Sequence, residues 1–108
     1  MLKRAEDLLK PDLRFRNTVG GITGDGRTRH MAITDLHEEM LPLELLAEVP
    51  PVIREQFDRA RHAFIHSWFV YDLVPLAEQQ GYQALEMALR EKLPPGEQQK
   101  AKERRWTL

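Results

Sequence analysis

Between residues 52 and 93 the apolar positions recur with a helical period. Ile53, Phe57, Ala60, Phe64, Trp68 and Tyr71 are spaced by three and four, the stripe of an α-helix predicted over 52–72. Over residues 64–71 the pattern is apolar almost all round, so this stretch is expected to be buried on more than one side, and wholly toward Tyr71, by its own domain or by a partner. A second helix is predicted over 76–93. Its expected buried stripe is Ala77, Gly81, Ala84, Leu85 and Ala88, flanked by Tyr82 and Leu89. Small residues there let a neighbouring helix approach closely, and they give a reason for an interior glycine that otherwise costs ~1 kcal/mol. Pro75 either kinks one long helix or lies in the first turn of the second, with Asp72 as its cap. The second arrangement, an antiparallel hairpin, is preferred; the kinked helix stays open.

Before Pro51 the pattern weakens. "KRAEDLLK" fits one or two helical turns, stopped by Pro11. The glycine-rich stretch "LRFRNTVGGITGDGRTRHMAI" predicts strands near 13–19 and 28–33, joined at "GDG", which supplies the positive φ angles of a tight turn. A phosphate-cradling loop needs a helix N-terminus directly after it, and here another extended segment follows, so a plain turn is expected. Asp35 and Glu38 have capping-box spacing for a short helix from Leu36, interrupted at Pro42. "LELLAEV" adds a second apolar patch, and "PP" at 50–51 marks the next boundary. "LPPG" at 93–96 ends the last helix. The predicted fold is mainly α: a helical hairpin or bundle with a small N-terminal strand-like or irregular segment. The chain reads as a single domain or the N-terminal portion of a larger one. It divides into a hairpin-like attachment at 13–33, a helical core at 51–93 and a polar, locally basic tail at 97–108. Trp106 in that tail has the character of an anchor.

Composition narrows the function classes. The 108 residues hold 16 Lys and Arg against 17 Asp and Glu, a net charge of −1, so overall electrostatics do not favour nucleic acid or membrane. With no cysteine, disulfides, thiolate nucleophiles and cysteine-ligated zinc are excluded. No stretch reads as a secretory signal or approaches the ~20 apolar residues of a membrane span. The cytoplasm is the expected compartment, with no membrane partner.

Candidate chemistry centres on "RHAFIH". Asp58, His62 and His66, spaced by four, stack along one side of the helix, where two imidazoles and a carboxylate can share a metal. The competing reading makes Glu55, Asp58, Arg59 and His62 the solvated face opposite the aromatic stripe, and no metal or other cofactor is expected. His37, Glu38 and Glu39 in "DLHEEM" are weaker ligand candidates, lacking the second histidine of a helical zinc motif. Glu78 shares a helix side with Leu85 and Leu89 and lies level with His66 in a hairpin. A Glu78–His66 contact would fix the charge or tautomer of that histidine; otherwise Glu78 stays wet at the core edge.

The stretch "VPPVIREQFDRARHAFIHSWFVYDLVPLAEQQGYQALEMALREKL" resembles the paired long helices of the HEPN superfamily, through its "F-x-x-A" entry, "WFVY" turn and "ALEMAL" exit. The resemblance covers about residues 49–93. It implies an α-helical bundle, often dimeric, and a place in toxin–antitoxin or phage-defence systems, with activity on RNA as a metal-independent ribonuclease. The family signature is an arginine, a polar residue, further residues and a histidine. It maps here onto Arg61, His62 and His66; Glu78 is a further catalytic candidate from its own helix position, not from the signature. In the family this signature belongs to a later helix, and Arg61 and His66 lie about 140° apart around one helix. The isolated chain is therefore expected to be inactive. The alternative is a non-catalytic dimerisation or partner-binding module, and either reading expects a homodimer through residues 64–71, with RNA or a protein as a further partner.

Overall fold

The computed structural model describes residues 2–15, 18–93 and 96. In chain order its elements are strands β1 (Val19–Ile22) and β2 (Thr28–His30) and helices α1 (Ile33–Met40), α2 (Pro51–His66) and α3 (Leu73–Glu91). Short 3₁₀ turns lie at Ala5–Asp7 and Leu13–Phe15. The architecture is helix-dominated with one two-stranded antiparallel sheet. It is also open: the radius of gyration is 18.2 Å, against ~13 Å for a compact domain of about this length.

The strong helical period after Pro51 folds as an antiparallel pair. Pro51 takes the first helical position of α2, where its missing N–H would have no partner. Val49, Ile53, Ala84 and Ala88 form the buried cluster of the seam, with Leu45, Phe57 and Met87 packed against it. Ala60 and Ala77 are buried too. Gly81 faces Ala60, but a Cβ added to it would sit 3.8 Å from the Ala60 Cβ, an ordinary contact. The close approach expected of this glycine is therefore not what requires it. Leu85, expected on the buried stripe, turns outward with Tyr82 and Leu89.

The first helix of the pair is shorter than its apolar pattern. It stops at His66, because Ser67 hydrogen-bonds back to the Phe64 carbonyl and tight turns follow, Trp68 N–H donating to Ile65 O (3.2 Å) and Phe69 N–H to His66 O (3.0 Å). The N-terminal segment supplies the bonds that α2 gives up. Asp12 donates its N–H to Trp68 O at 2.7 Å, and its carboxylate accepts the Tyr71 N–H at 2.8 Å. Pro75 lies in the first turn of α3, as the hairpin reading requires. Asp72 occupies the cap position but makes no capping bond; its carboxylate binds Arg14 at 2.7 Å.

Residues 3–15 thus clasp the α2–α3 turn. Phe15 is buried, with its ring 5.3 Å from that of Trp68 and 5.4 Å from that of Tyr71. The Arg14 guanidinium lies 5.0 Å from the Tyr71 ring centroid, and Lys3 Nζ donates to Phe69 O at 2.9 Å. The Arg14 N–H, joined by that of Tyr71, holds the Asp12 carboxyl below its ordinary range. Two expectations change here. Residues 13–15 are a 3₁₀ turn rather than a strand, of which Phe15 alone is buried, and the apolar stretch 64–71 is partly covered by the chain's own N-terminal segment. Val70 and Tyr71 remain exposed rather than wholly buried.

The glycine-rich hairpin forms with shorter strands than predicted. Thr23 N–H donates to Arg27 O at 2.7 Å, and Gly26 closes the turn with φ +84°. Val19 pairs with His30 and Gly21 with Arg29, leaving Gly20 as a bulge. Arg29 crosses from this hairpin to Asp35 of α1, with Nη to Oδ distances of 2.6 and 2.9 Å, and also donates to Gly20 O at 3.1 Å. A Cβ at Gly20 would fall 2.6 Å from Arg29 Nη1, 2.7 Å from Asp35 Oδ2 and 2.8 Å from Met31 Cα, so this glycine is required sterically. Asp35 also accepts the Ala32 N–H at 2.7 Å, which starts α1 at Ile33, three residues before the expected Leu36. Glu38 takes no part in that cap.

Candidate functional site

Arg61 is the most committed of the candidate residues. Its side chain is 18% exposed. Its Nε and Nη2 donate to Met40 O at 3.2 and 2.8 Å, and Nη1 donates to Asp58 Oδ1 at 3.0 Å. Met40 is the last residue of α1, whose final carbonyls have no helical partner. Arg61 satisfies one of them and fastens α1 to α2. It borders a shallow open cleft with Glu44, Leu45, Arg54 and Asp58. There the cationic groups are already engaged: Arg61 as described, and Arg54 with its Nε 3.1 Å from Val49 O.

The structure separates the remaining candidates. His62 is exposed, and its Nδ1 lies 2.8 Å from the Asp58 carbonyl of its own helix, so that nitrogen carries the proton. His66 is exposed and stacks on Phe69, ring centroids 6.3 Å apart. Glu78 is exposed rather than partly buried, and no contact joins it to His66. The reason is rotational: the seam of α3 is centred on Ala77, Ala84 and Ala88, and Glu78 turns away with Tyr82, Leu85 and Leu89. Among the described residues no three His, Asp or Glu side chains are placed to hold one metal ion, so Asp58, His62 and His66 are not brought together, and neither are His37, Glu38 and Glu39. Nor does any described helix combine the length and apolarity needed to cross a membrane.

The feature with the clearest functional content lies on α3. Tyr82 is 70% exposed, Leu89 67% and Leu85 40%, and they follow one another at spacings of three and four. They make a continuous outward stripe of large apolar side chains beside the small-residue seam. Pattern reading merged the two stripes into one. The available signal was size, because small residues mark the seam and large ones the second face, and a two-helix hairpin covers only one of them.

No protein-family model, curated protein or solved structure matches the chain. Function is therefore read from these side chains themselves.

Proposed function

We propose that this chain is a non-catalytic helical interaction module, which docks a helix of a second copy against the outer face of α3. The carrying observation is the exposed Tyr82–Leu85–Leu89 stripe. Contiguous apolar surface of this kind on an ordered helix marks a site of association. An antiparallel second copy presents the same stripe back to it, the self-complementary geometry of a two-fold interface. This moves the expected dimer contact from residues 64–71, which residues 3–15 partly cover, to α3.

The association is weak. Three such side chains, even counted at the roughly 150–250 Å² of a buried aromatic, fall short of the ~800 Å² that each partner buries in a stable complex. Sedimentation equilibrium from micromolar to near-millimolar protein should show a concentration-dependent dimer that Leu89→Glu abolishes. A monomer throughout, or a Leu89→Glu variant that associates like the parent, rejects the module. The RNA-directed reading implied by the HEPN resemblance has less support, since an RNA nuclease without metal needs a base and a cation at one phosphate. Arg61 is held on the Met40 carbonyl of α1, while His66 is exposed and stacked on Phe69. Cleavage of RNA by the pure protein in EDTA, lost in both Arg61→Ala and His66→Ala, would reinstate that reading.

A further inference from the structure

Residues 3–15 are attached to the α2–α3 turn in the manner of a bound peptide. Among residues 2–15 only Phe15 is buried, and Leu2, Leu8, Leu9 and Leu13 stay exposed. The attachment rests on one aromatic anchor and a few directional polar bonds.

The turn itself is shaped without that segment. Ser67 is buried and its hydroxyl donates to Phe64 O. The N–H groups of Trp68, Phe69, Leu73 and Val74 donate to the carbonyls of Ile65, His66, Val70 and Tyr71 at 3.2, 3.0, 3.0 and 2.9 Å. What these bonds leave over is a recognition set: Trp68 O as acceptor, Tyr71 N–H as donor, the Asp72 carboxylate, and the space beside the Trp68 and Tyr71 rings. Residues 12–15 meet every member of it. Asp12 donates its N–H to Trp68 O at 2.7 Å and accepts the Tyr71 N–H on Oδ2 at 2.8 Å. Arg14 Nη1 lies 2.7 Å from Asp72 Oδ1, and the Phe15 ring packs on both aromatic rings. The Phe15 N–H donates to Asp12 O at 3.0 Å. That 3₁₀ turn brings the acid and the aromatic, three residues apart, to one side of the segment.

We infer that the α2–α3 turn is a docking site for a protein segment of the pattern acidic, any residue, basic, aromatic, and that residues 12–15 fill it in cis. Such a segment from a partner replaces the resident bond for bond. The resident holds one advantage, its tether, which acts as an effective concentration on the order of millimolar. This site uses none of Tyr82, Leu85 and Leu89.

The test uses the full chain with Trp106→Phe, which leaves Trp68 as the sole indole reporter. Adding Phe15→Ala should move Trp68 emission to longer wavelength with the circular dichroism of the helices unchanged. A synthetic peptide with the sequence of residues 2–15 should return the emission saturably. The same peptide carrying Phe15→Ala should not. One carrying Asp12→Ala should need roughly tenfold more, as expected for a lost hydrogen bond to a charged group. With Phe15 in place the protein should respond only to peptide on the order of millimolar. Failure of the peptide to return the emission overturns the inference, as does equal rescue by the Phe15→Ala peptide or an equal response from the chain with Phe15 in place. Loss of the helical signal in the Phe15→Ala chain overturns it too, since the segment would then be core. Hydrogen exchange of the unsubstituted chain decides without any variant. The Asp12 and Tyr71 amides should open together and well before those of Ala60 and Ala84. Protection equal to that of Ala60 and Ala84 would show that the segment never leaves the folded chain and would overturn the inference.

Discussion

The helical hairpin and the β-hairpin are held by different physics, and two glycines show the difference. Along the α2–α3 seam, the apolar side chains of Ile53, Ala60, Ala77, Ala84 and Ala88 are buried against one another's helices, and the fit tolerates an added methyl at Gly81. The β-hairpin is tied to α1 by the Arg29–Asp35 pair, fitted so closely over Gly20 that no Cβ is tolerated there. A nonpolar seam spreads its stabilisation over many contacts, whereas a single charged pair concentrates it in one geometry. Glycine is thus a steric necessity at the polar joint and a dispensable choice in the apolar one.

The largest test of this contrast is overpacking of the seam. Ala84 is fully buried, so Ala84→Leu should force the helices apart and cost about 3 kcal/mol, the upper range for added methylenes in a packed core. Urea unfolding would measure this, and a change within error would show that the seam is loose. Gly20→Ala comes next, at about 1–2 kcal/mol, because the Met31 backbone and the ion pair must both shift. Its effect should be local: faster hydrogen exchange in β1 and β2 with α2 and α3 unchanged. Equal loss of protection in α3 would mean that the two regions unfold as one.

Gly81→Ala should have the opposite sign. With only the Ala60 Cβ nearby, the substitution gains helix propensity of roughly 0.5–1 kcal/mol. A raised thermal midpoint is expected, and a lowered one would restore the close-approach reading of this glycine. The smallest global effect concerns pH. The Arg29 guanidinium, then the Ala32 N–H, hold the Asp35 carboxyl down to about 2. An unfolded aspartate titrates near ~3.9. Because the folded value is depressed, the stabilisation is complete above pH ~4 and falls away as pH drops towards about 2. The hydrogen-exchange protection factors of the β-hairpin should fall as pH drops through that window, and Asp35→Asn should remove the dependence. An unchanged pH profile in that variant would assign it to other carboxylates.

The sequence by itself determined the two helical stretches after Pro51, the proline at the start of α2 and the glycine turn of the β-hairpin. Each follows from local rules: periodicity, missing N–H groups and permitted φ angles are properties of a few neighbouring residues. It favoured, without deciding, an antiparallel pair with Pro75 in the first turn of α3 over one kinked helix. Only the tertiary structure decided where α2 stops, because the bonds replacing its last turn come from Asp12, more than fifty residues away in sequence. The role of Arg61 was hidden for the same reason. Its spacing to His66 is written in the chain, but the Met40 carbonyl that holds it belongs to another helix. Likewise the periodicity of α3 shows that Leu85, Tyr82 and Leu89 are apolar and adjacent, yet not which stripe meets α2. That choice depends on which face lets two helix axes come closest, and the alanines win it, leaving the larger side chains outside.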